Sequence, residues 1–287
     1  MSANPIIRQY WSLTKSLQTG LLLITGIAGH MSARCPVLGW RAVAGLAGSL
    51  FLSISGSTVL NMWYDRDIDA KMQRTCRRPL PSGRVSPREA LTLGLMLSVL
   101  GVGWALSIDL LYGGIVLVGV FFDVVVYTCW LKRRTAWSIV WGGIAGGMPV
   151  LAGRALATGR IDWVGVMLAL SVLFWIPTHI LTHNMRHRDD YQRAGVPSFP
   201  STYGIPVTRT IIAVTSICAA LAMIVAAYGI GITIGYLRLM AVLSGGLLAL
   251  ALGSMIRPSN RVNFGLFKYA SVYMLSAMIL VIAEGVR

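Results

Sequence analysis

Nine times along its 287 residues, the chain runs for about 18 to 25 residues with scarcely a charge. That is the length a helix needs to cross the hydrocarbon of a bilayer. Lipid offers the backbone no hydrogen-bond partner, so only helices and closed barrels span it. The alternating segments of about ten residues that mark a barrel are absent. The expected fold is therefore an all-α integral membrane protein with nine transmembrane helices. Composition agrees, because only 12% of the residues are charged, against about a quarter in a soluble chain.

The spans are expected near 14–33, 38–60, 89–108, 110–131, 137–157, 162–184, 208–232, 234–256 and 264–284. With the N-terminus inside, nineteen of the 25 Lys and Arg residues fall on the inner side and six on the outer. This is the asymmetry that the positive-inside rule describes. It places the N-terminus in the cytoplasm, the C-terminus outside, and the protein in the cell membrane. The net charge of +15 follows from these inner loops beside anionic lipid, so no nucleic-acid partner is needed. Residues 1–287 read as a single transmembrane domain. The cysteines Cys35, Cys76, Cys129 and Cys218 are scattered, so neither a disulfide framework nor a zinc site is expected. No cleavable signal peptide is expected either.

The outer loops are short. The two longest polar stretches, near 61–88 and 184–207, both face the cytoplasm, and the chemistry is expected there. The first begins "NMWYDRDIDAKMQRTCRRPLPSG". If the second span continues as a helix, Asn61, Asp65 and Asp69 fall within roughly 80° of one another, at about 100° per residue. Asp67 points away. Carboxylates and a carboxamide on one face suit a hard divalent cation. Magnesium in particular keeps several waters and bridges to phosphates. The neighbouring arginines suit the phosphates themselves. The plainer reading is a solvated loop whose aspartates and arginines neutralise one another.

The second stretch, "WIPTHILTHNMRHRDDYQRAGVP", adds the acidic pair Asp189 and Asp190. His179, His183 and His187 recur every four residues and share a helix face. They line a polar cavity, ligate a metal or a haem iron, or are ordinary interfacial histidines. Pro177 is expected to kink the span and open room there. Asp123, in "GVFFDVVVYTCWLKRRT", lies inside a span, with Tyr127 one turn away. Charge at that depth normally faces a cavity or a partner. A structural hydrogen bond to a neighbouring helix is the competing reading.

The pattern N-x-x-x-D-x-x-x-D after the second helix, followed by "RTCRRPLPSGRVSP", resembles the UbiA superfamily of membrane prenyltransferases. Within it, "LTK", "VVVYTCWLKRRT", "GGIAGGMPVLAG" and "DDYQRAGVPSFP" look most like the protohaem IX farnesyltransferase (haem O synthase) branch. The likeness covers roughly residues 10 to 205. It implies a ring of helices around a central cavity, with two acidic motifs holding Mg2+ against an isoprenoid diphosphate. Carried over by resemblance, Asn61, Asp65, Asp69, Asp189 and Asp190 are metal ligands. Lys15, Arg78, Lys132 and Arg133 bind diphosphate by the same resemblance. From the shared histidine face, His179 and His183 are expected to bind the acceptor. Asp65, Asp69, Asp123 and Tyr127 are the expected catalytic residues.

The implied reaction joins the farnesyl group of farnesyl diphosphate to a vinyl of haem B, with a hydroxyl introduced at the junction. Haem B is then a substrate rather than a prosthetic group, and contact with haem A synthase or with oxidase assembly is implied. The physics supports such chemistry. Cations stabilise the departing diphosphate, and an apolar cavity shields the allylic cation from water. The chain departs from the branch where Asp123 replaces an expected tyrosine, Ser138 an asparagine and Arg154 a tryptophan, differences that fit either a divergent member of the branch or a different acceptor with Asp123 as a base or cation stabiliser. "THILTH" likewise stands for an "HFW"-like segment. Two other enzyme readings remain open: a quinone, chlorophyll-type or lipid acceptor, and a terpene cyclase. A transporter for a divalent cation or phosphate is disfavoured, because a pathway needs polar residues across the whole depth.

Overall fold

The computed structural model describes residues 5–34 and 39–287. Cys35 and the expected start of the second span at residue 38 lie outside the described residues. All regular structure among the described residues is helical. In chain order the helices are α1 (Pro5–Leu13), α2 (Ser16–Met31), α3 (Trp40–Tyr64), α4 (Arg66–Lys71), α5 (Pro87–Ile108), α6 (Leu110–Phe121), α7 (Ser138–Thr158), α8 (Trp163–Arg186), α9 (Arg188–Arg193), α10 (Phe199–Thr202), α11 (Gly204–Ile230), α12 (Ile234–Ile256) and α13 (Asn260–Val286). A π-helix over Phe122–Leu131 continues α6 to the charged end.

With α6 and its π-helical continuation counted as one, eight helices among the described residues are long and apolar enough to cross a membrane. The first expected span falls on α2, which has only 16 residues and is not among these eight. It is cut short because Lys15 takes a left-handed conformation, with φ 44°, that breaks it from α1. Elsewhere the boundaries follow local chemistry. Helix α5 starts with a capping box, in which Ser86 and Glu89 exchange hydrogen bonds of 3.2 and 3.0 Å, ahead of Pro87, which needs no donor. Asp109 caps α6 through the Tyr112 amide at 2.8 Å.

The long helices form a closed ring. Each packs on its neighbour in the order α2, α3, α5, α6, α7, α8, α11, α12, α13, and α13 returns to α2. Helix α2 also crosses α7, and α13 crosses α8, which divides the ring. The α2–α7 crossing depends on small residues. A Cβ on Gly29 would overlap the Val150 carbonyl, and one on Gly153 the Gly26 carbonyl. Such close backbone approach supplies the packing that lipid cannot drive by hydrophobicity.

The half of the ring away from the charged loops is filled. Ala28, Val150, Leu168, Val172, Met274 and Met278 join one apolar cluster there. Two ion pairs fasten that end. Arg154, buried, grips Asp162 through Nε and Nη2 at 2.7–3.0 Å, and Ser32 through Nη1 at 2.9 Å. Arg34 pairs with Glu284, which also accepts from the Thr233 amide and hydroxyl at 3.1 and 3.0 Å. Exposed tryptophans flank the ring at both ends: Trp40, Trp104 and Trp163 at one, Trp11, Trp130 and Trp137 at the other. They form the aromatic belts of a membrane protein. The polar residues singled out in the sequence gather at the opposite, charged end.

Candidate active site

Helix α3 carries Ser57, Asn61 and Asp65 on successive turns. It breaks at Asp65, with φ −86° and ψ 4°, but the hydrogen-bond ladder continues. The Asp65 amide donates to Asn61 at 3.0 Å, and the Asp69 amide to Asp65 at 2.8 Å. The one-face geometry expected from spacing therefore survives the break. Asp65 and Asp69 are only 4% and 6% exposed, which excludes the solvated-loop reading. Their charges are nevertheless matched. Lys132 clasps Asp65, and Arg78 donates to Asp69 Oδ2 at 2.7 Å. The second oxygen of Asp65, Oδ1, is buried and has no hydrogen-bond partner.

Asp67 points outward, as the helical angle predicts. Arg133 meets it with two bonds of 2.6 and 2.8 Å and donates to the Tyr64 carbonyl at 2.7 Å. Arg133 stays 3.9 Å from Asp65. The Arg133 guanidinium holds the Asp67 carboxyl below the usual carboxylate range. Of the two adjacent cations, then, Lys132 faces the buried motif and Arg133 braces the exposed side of the α3–α4 turn.

Deeper in the membrane, Asp123 sits in the first turn of the π-helix. Its Oδ2 accepts from Asn61 Nδ2 at 2.8 Å and from the Ser57 hydroxyl. Asn61 is fixed at its other end by Thr128, which donates to Oδ1 at 2.8 Å. The hydrogen bond to a neighbouring helix that the competing reading called for is thus present, and it ties Asp123 directly to the first motif. Tyr127 lies against Gly142 of α7, with the Lys132 ammonium 5.5 Å from its ring centre.

Lys15 completes a cluster of three cations. Burial, reinforced by repulsion from Arg78 and Lys132, lowers its pKa to about 8, although Asp69 and Asp123 pull the other way. Burial also works against the charge of Lys132, but Tyr127 and the Asp65 carboxylate outweigh it and raise its pKa.

The two polar stretches meet. The Gln73 amide donates to Asp190 Oδ1 at 3.3 Å, while Ile68 and Met72 pack on Tyr191, Ala194 and Val196. Asp190 is buried beside this contact and Asp189 is exposed. The histidines separate. His179 is stacked between Trp175 and Phe267, with ring centres 5.1 and 4.6 Å away, and its Nδ1 is 3.1 Å from the Ser271 hydroxyl. His183 and His187 have ring centres 4.5 Å apart. They line a cavity of about 140 Å³ with Arg186, Asn263, Phe264 and Phe267. Burial and the nearby Arg74 and Arg186 lower the pKa of His187, partly offset by Asp190.

Sequence reasoning passed over Asn184. It is 7% exposed, its carboxamide oxygen has no hydrogen-bond partner, and it lies between His183 and His187, five residues before the acidic pair. An asparagine near a D-D pair was a weak signal, because its importance depends on burial. Tyr191 was also missed; it lies close enough to Lys132 to act on its charge.

The donor set fits a magnesium ion in kind. It consists of hard oxygens, and two of them, on Asp65 and Asn184, are buried without a hydrogen-bond partner. No three His, Cys, Asp or Glu side chains converge as a preformed site among the described residues. Lys132, Arg78 and the Gln73 amide occupy the carboxylates instead.

Comparison with known proteins gives the family and the fold. The model of the UbiA prenyltransferase family matches residues 22–272. The chain is 43% identical over 211 residues to a Symbiobacterium thermophilum protein named protoheme IX farnesyltransferase, covering 73% of this chain and 70% of the relative. It is 36% identical over 270 residues to a Desulforudis audaxviator protein of the same name, covering 93% and 85%. Among solved structures, a digeranylgeranylglyceryl phosphate synthase superposes with TM-score 0.80 at 20% identity, covering 98% of both chains. A UbiA homologue from Archaeoglobus fulgidus bound to GPP and Mg2+ superposes with TM-score 0.69 at 16% identity, covering 96% of this chain and 99% of the homologue. At these identities the structural likeness speaks for the fold, and the sequence matches speak for the family. The protein belongs to the UbiA prenyltransferase family.

Proposed function

We propose that this protein transfers the farnesyl group of farnesyl diphosphate to a vinyl group of haem B, releasing diphosphate. The observation that carries the reading is the buried cluster at one end of the ring. Asp65 and Asp69 there face Lys132 and Arg78, with Lys15 close by. Buried carboxylates matched by that many cations suit an incoming polyanion that brings its own divalent metal. The acceptor assignment is supported by relatives 36% and 43% identical that carry the farnesyltransferase name. The excess of basic residues at this end supports a cytoplasmic orientation, in the cell membrane.

Asn61, Asp65, Asp69, Asn184, Asp189 and Asp190 are the residues that would hold magnesium, which when bound offsets the charge of the leaving diphosphate. The chain's own groups do the rest. Lys15, Arg78 and Lys132 attract the diphosphate and stabilise the negative charge that grows as it departs. Arg133, tied to Asp67, keeps the α3–α4 turn in place. The packed half of the ring closes the far side, so the allylic cation meets little water. His183 and His187, with Arg186 and Phe264, offer an aromatic and cationic wall to a flat acceptor bearing carboxylates.

The test is diphosphate release by purified protein with farnesyl diphosphate and magnesium, with and without haem B. Release that depends on haem B is expected. Release that depends on a quinone precursor instead would overturn the acceptor. Release without any acceptor would indicate a cyclase.

A further inference from the structure

We infer that Asp123 is the base that takes a proton from the water completing the reaction, an inference that rests on the haem-vinyl reading above. Ser57, Asn61 and Asp65 occupy successive turns of α3, and each turn of four residues spans about 6 Å along the axis. Asp65 and Lys132 form the level of the diphosphate. The Asp123 carboxylate is bonded to Asn61 and Ser57, one to two turns further into the membrane. The reacting carbon of a donor whose diphosphate sits at Asp65 lies toward that level, because its apolar tail must continue into the ring.

A carboxylate at that depth is costly unless it has a function or a partner. Here both described hydrogen bonds end on Oδ2, and Oδ1 keeps its accepting capacity. The backbone around it is also unusual. Asp123 lies in the first turn of a ten-residue π-helix, Phe122–Leu131, whereas π-turns normally come singly and are frequent at functional sites. Asn61, held at its far end by Thr128 at 2.8 Å, locks the carboxylate orientation.

The chemistry needs such a group. As the C1–O bond of the donor breaks, its electron pair leaves with diphosphate. The vinyl π-pair then forms the new C–C bond to C1 and leaves a cation on the carbon beside the porphyrin ring. A water oxygen bonds to that carbon, and the water must lose a proton. Asp123 accepts this proton and returns it to solvent in the next cycle. Without the base, the intermediate partitions toward loss of a carbon-bound proton, giving an alkene lighter than the alcohol by one water.

The experiment measures hydroxylated farnesyl haem formed per diphosphate released, in single turnovers with enzyme in excess, for wild type, Asp123→Asn and Asp123→Glu. The expected result is at least a tenfold fall in this ratio for the Asn variant, with the alkene appearing, and a ratio near wild type for the Glu variant, which keeps the base. An Asn variant with the wild-type ratio overturns the inference, as does a Glu variant whose ratio falls equally. A wild-type enzyme that makes no farnesylated haem refutes the acceptor reading and this inference with it.

Discussion

Replacing Lys132 with methionine tests how the charged end exchanges partners when the donor arrives. Without donor, Lys132 is clasped to Asp65, its side chain 22% exposed and that of Asp65 6%. When diphosphate arrives, the ammonium exchanges one anion for another. A unit charge at about 4 Å in surroundings of effective dielectric about 20 is worth roughly 4 kcal/mol. Surrendering Asp65 offsets about half of this, leaving about 2 kcal/mol, or roughly thirtyfold in kcat/KM. The assay is diphosphate release at low farnesyl diphosphate. Lys132→Arg serves as the charge-retaining control, and thermal melting in detergent confirms folding. Lys132→Arg should recover most of the loss. Arg133→Met should cost much less than Lys132→Met, because Arg133 is committed to Asp67 at 2.6 and 2.8 Å. A folded Lys132→Met variant within threefold of wild type would refute the exchange of partners.

Lys15, with its pKa lowered to about 8 by burial and by Arg78 and Lys132, is a cation below that pH and neutral above it. The KM for farnesyl diphosphate should therefore rise as pH increases from about 7 to about 9, and Lys15→Arg should flatten that rise. Asp65→Ala should reduce turnover by at least about a hundredfold, the scale of losing a stabilising group at the developing charge, while the protein stays folded in the membrane; normal turnover would remove Asp65 from the site. Arg154→Leu strands Asp162 at the far end, and breaking a buried pair costs about 3–5 kcal/mol. Its melting temperature should fall clearly, and Arg154→Leu with Asp162→Leu should regain part of the loss.

Much of the architecture was legible because lipid permits so few alternatives. The eighth span was expected at 234–256 and is α12, Ile234–Ile256. The fourth, expected at 110–131, is α6 with its π-helical continuation, Leu110–Leu131. Several others shifted by a few residues where polar chemistry extends a helix beyond its apolar run. Helix α3 continues to Tyr64 because the motif itself is helical, and α13 begins at Asn260 because Ser259 caps it through the Val262 amide at 3.1 Å. The first span was expected at 14–33, but the left-handed Lys15 confines it to Ser16–Met31, a break that hydropathy does not encode.

At the site, spacing placed Asp65 and Asp69 on one face, since i, i+4 geometry is local. Which cation meets which acid was not legible, because Lys132 and Arg78 reach the motif from different directions in the chain. The histidine repeat predicted a shared face, yet His179 is stacked into the α8–α13 contact while His183 lines the cavity. That division depends on Phe267, 84 residues beyond His183 in the chain. Arg154, an oddity in the sequence, acquires its meaning only from Asp162 across the turn between two helices.

The most direct test of the account is the mass of the haem extracted after purified protein is incubated in detergent with magnesium, farnesyl diphosphate and haem B. Haem heavier by one farnesyl group plus one water is the predicted result. Unmodified haem, from folded protein that still binds the donor, would contradict it.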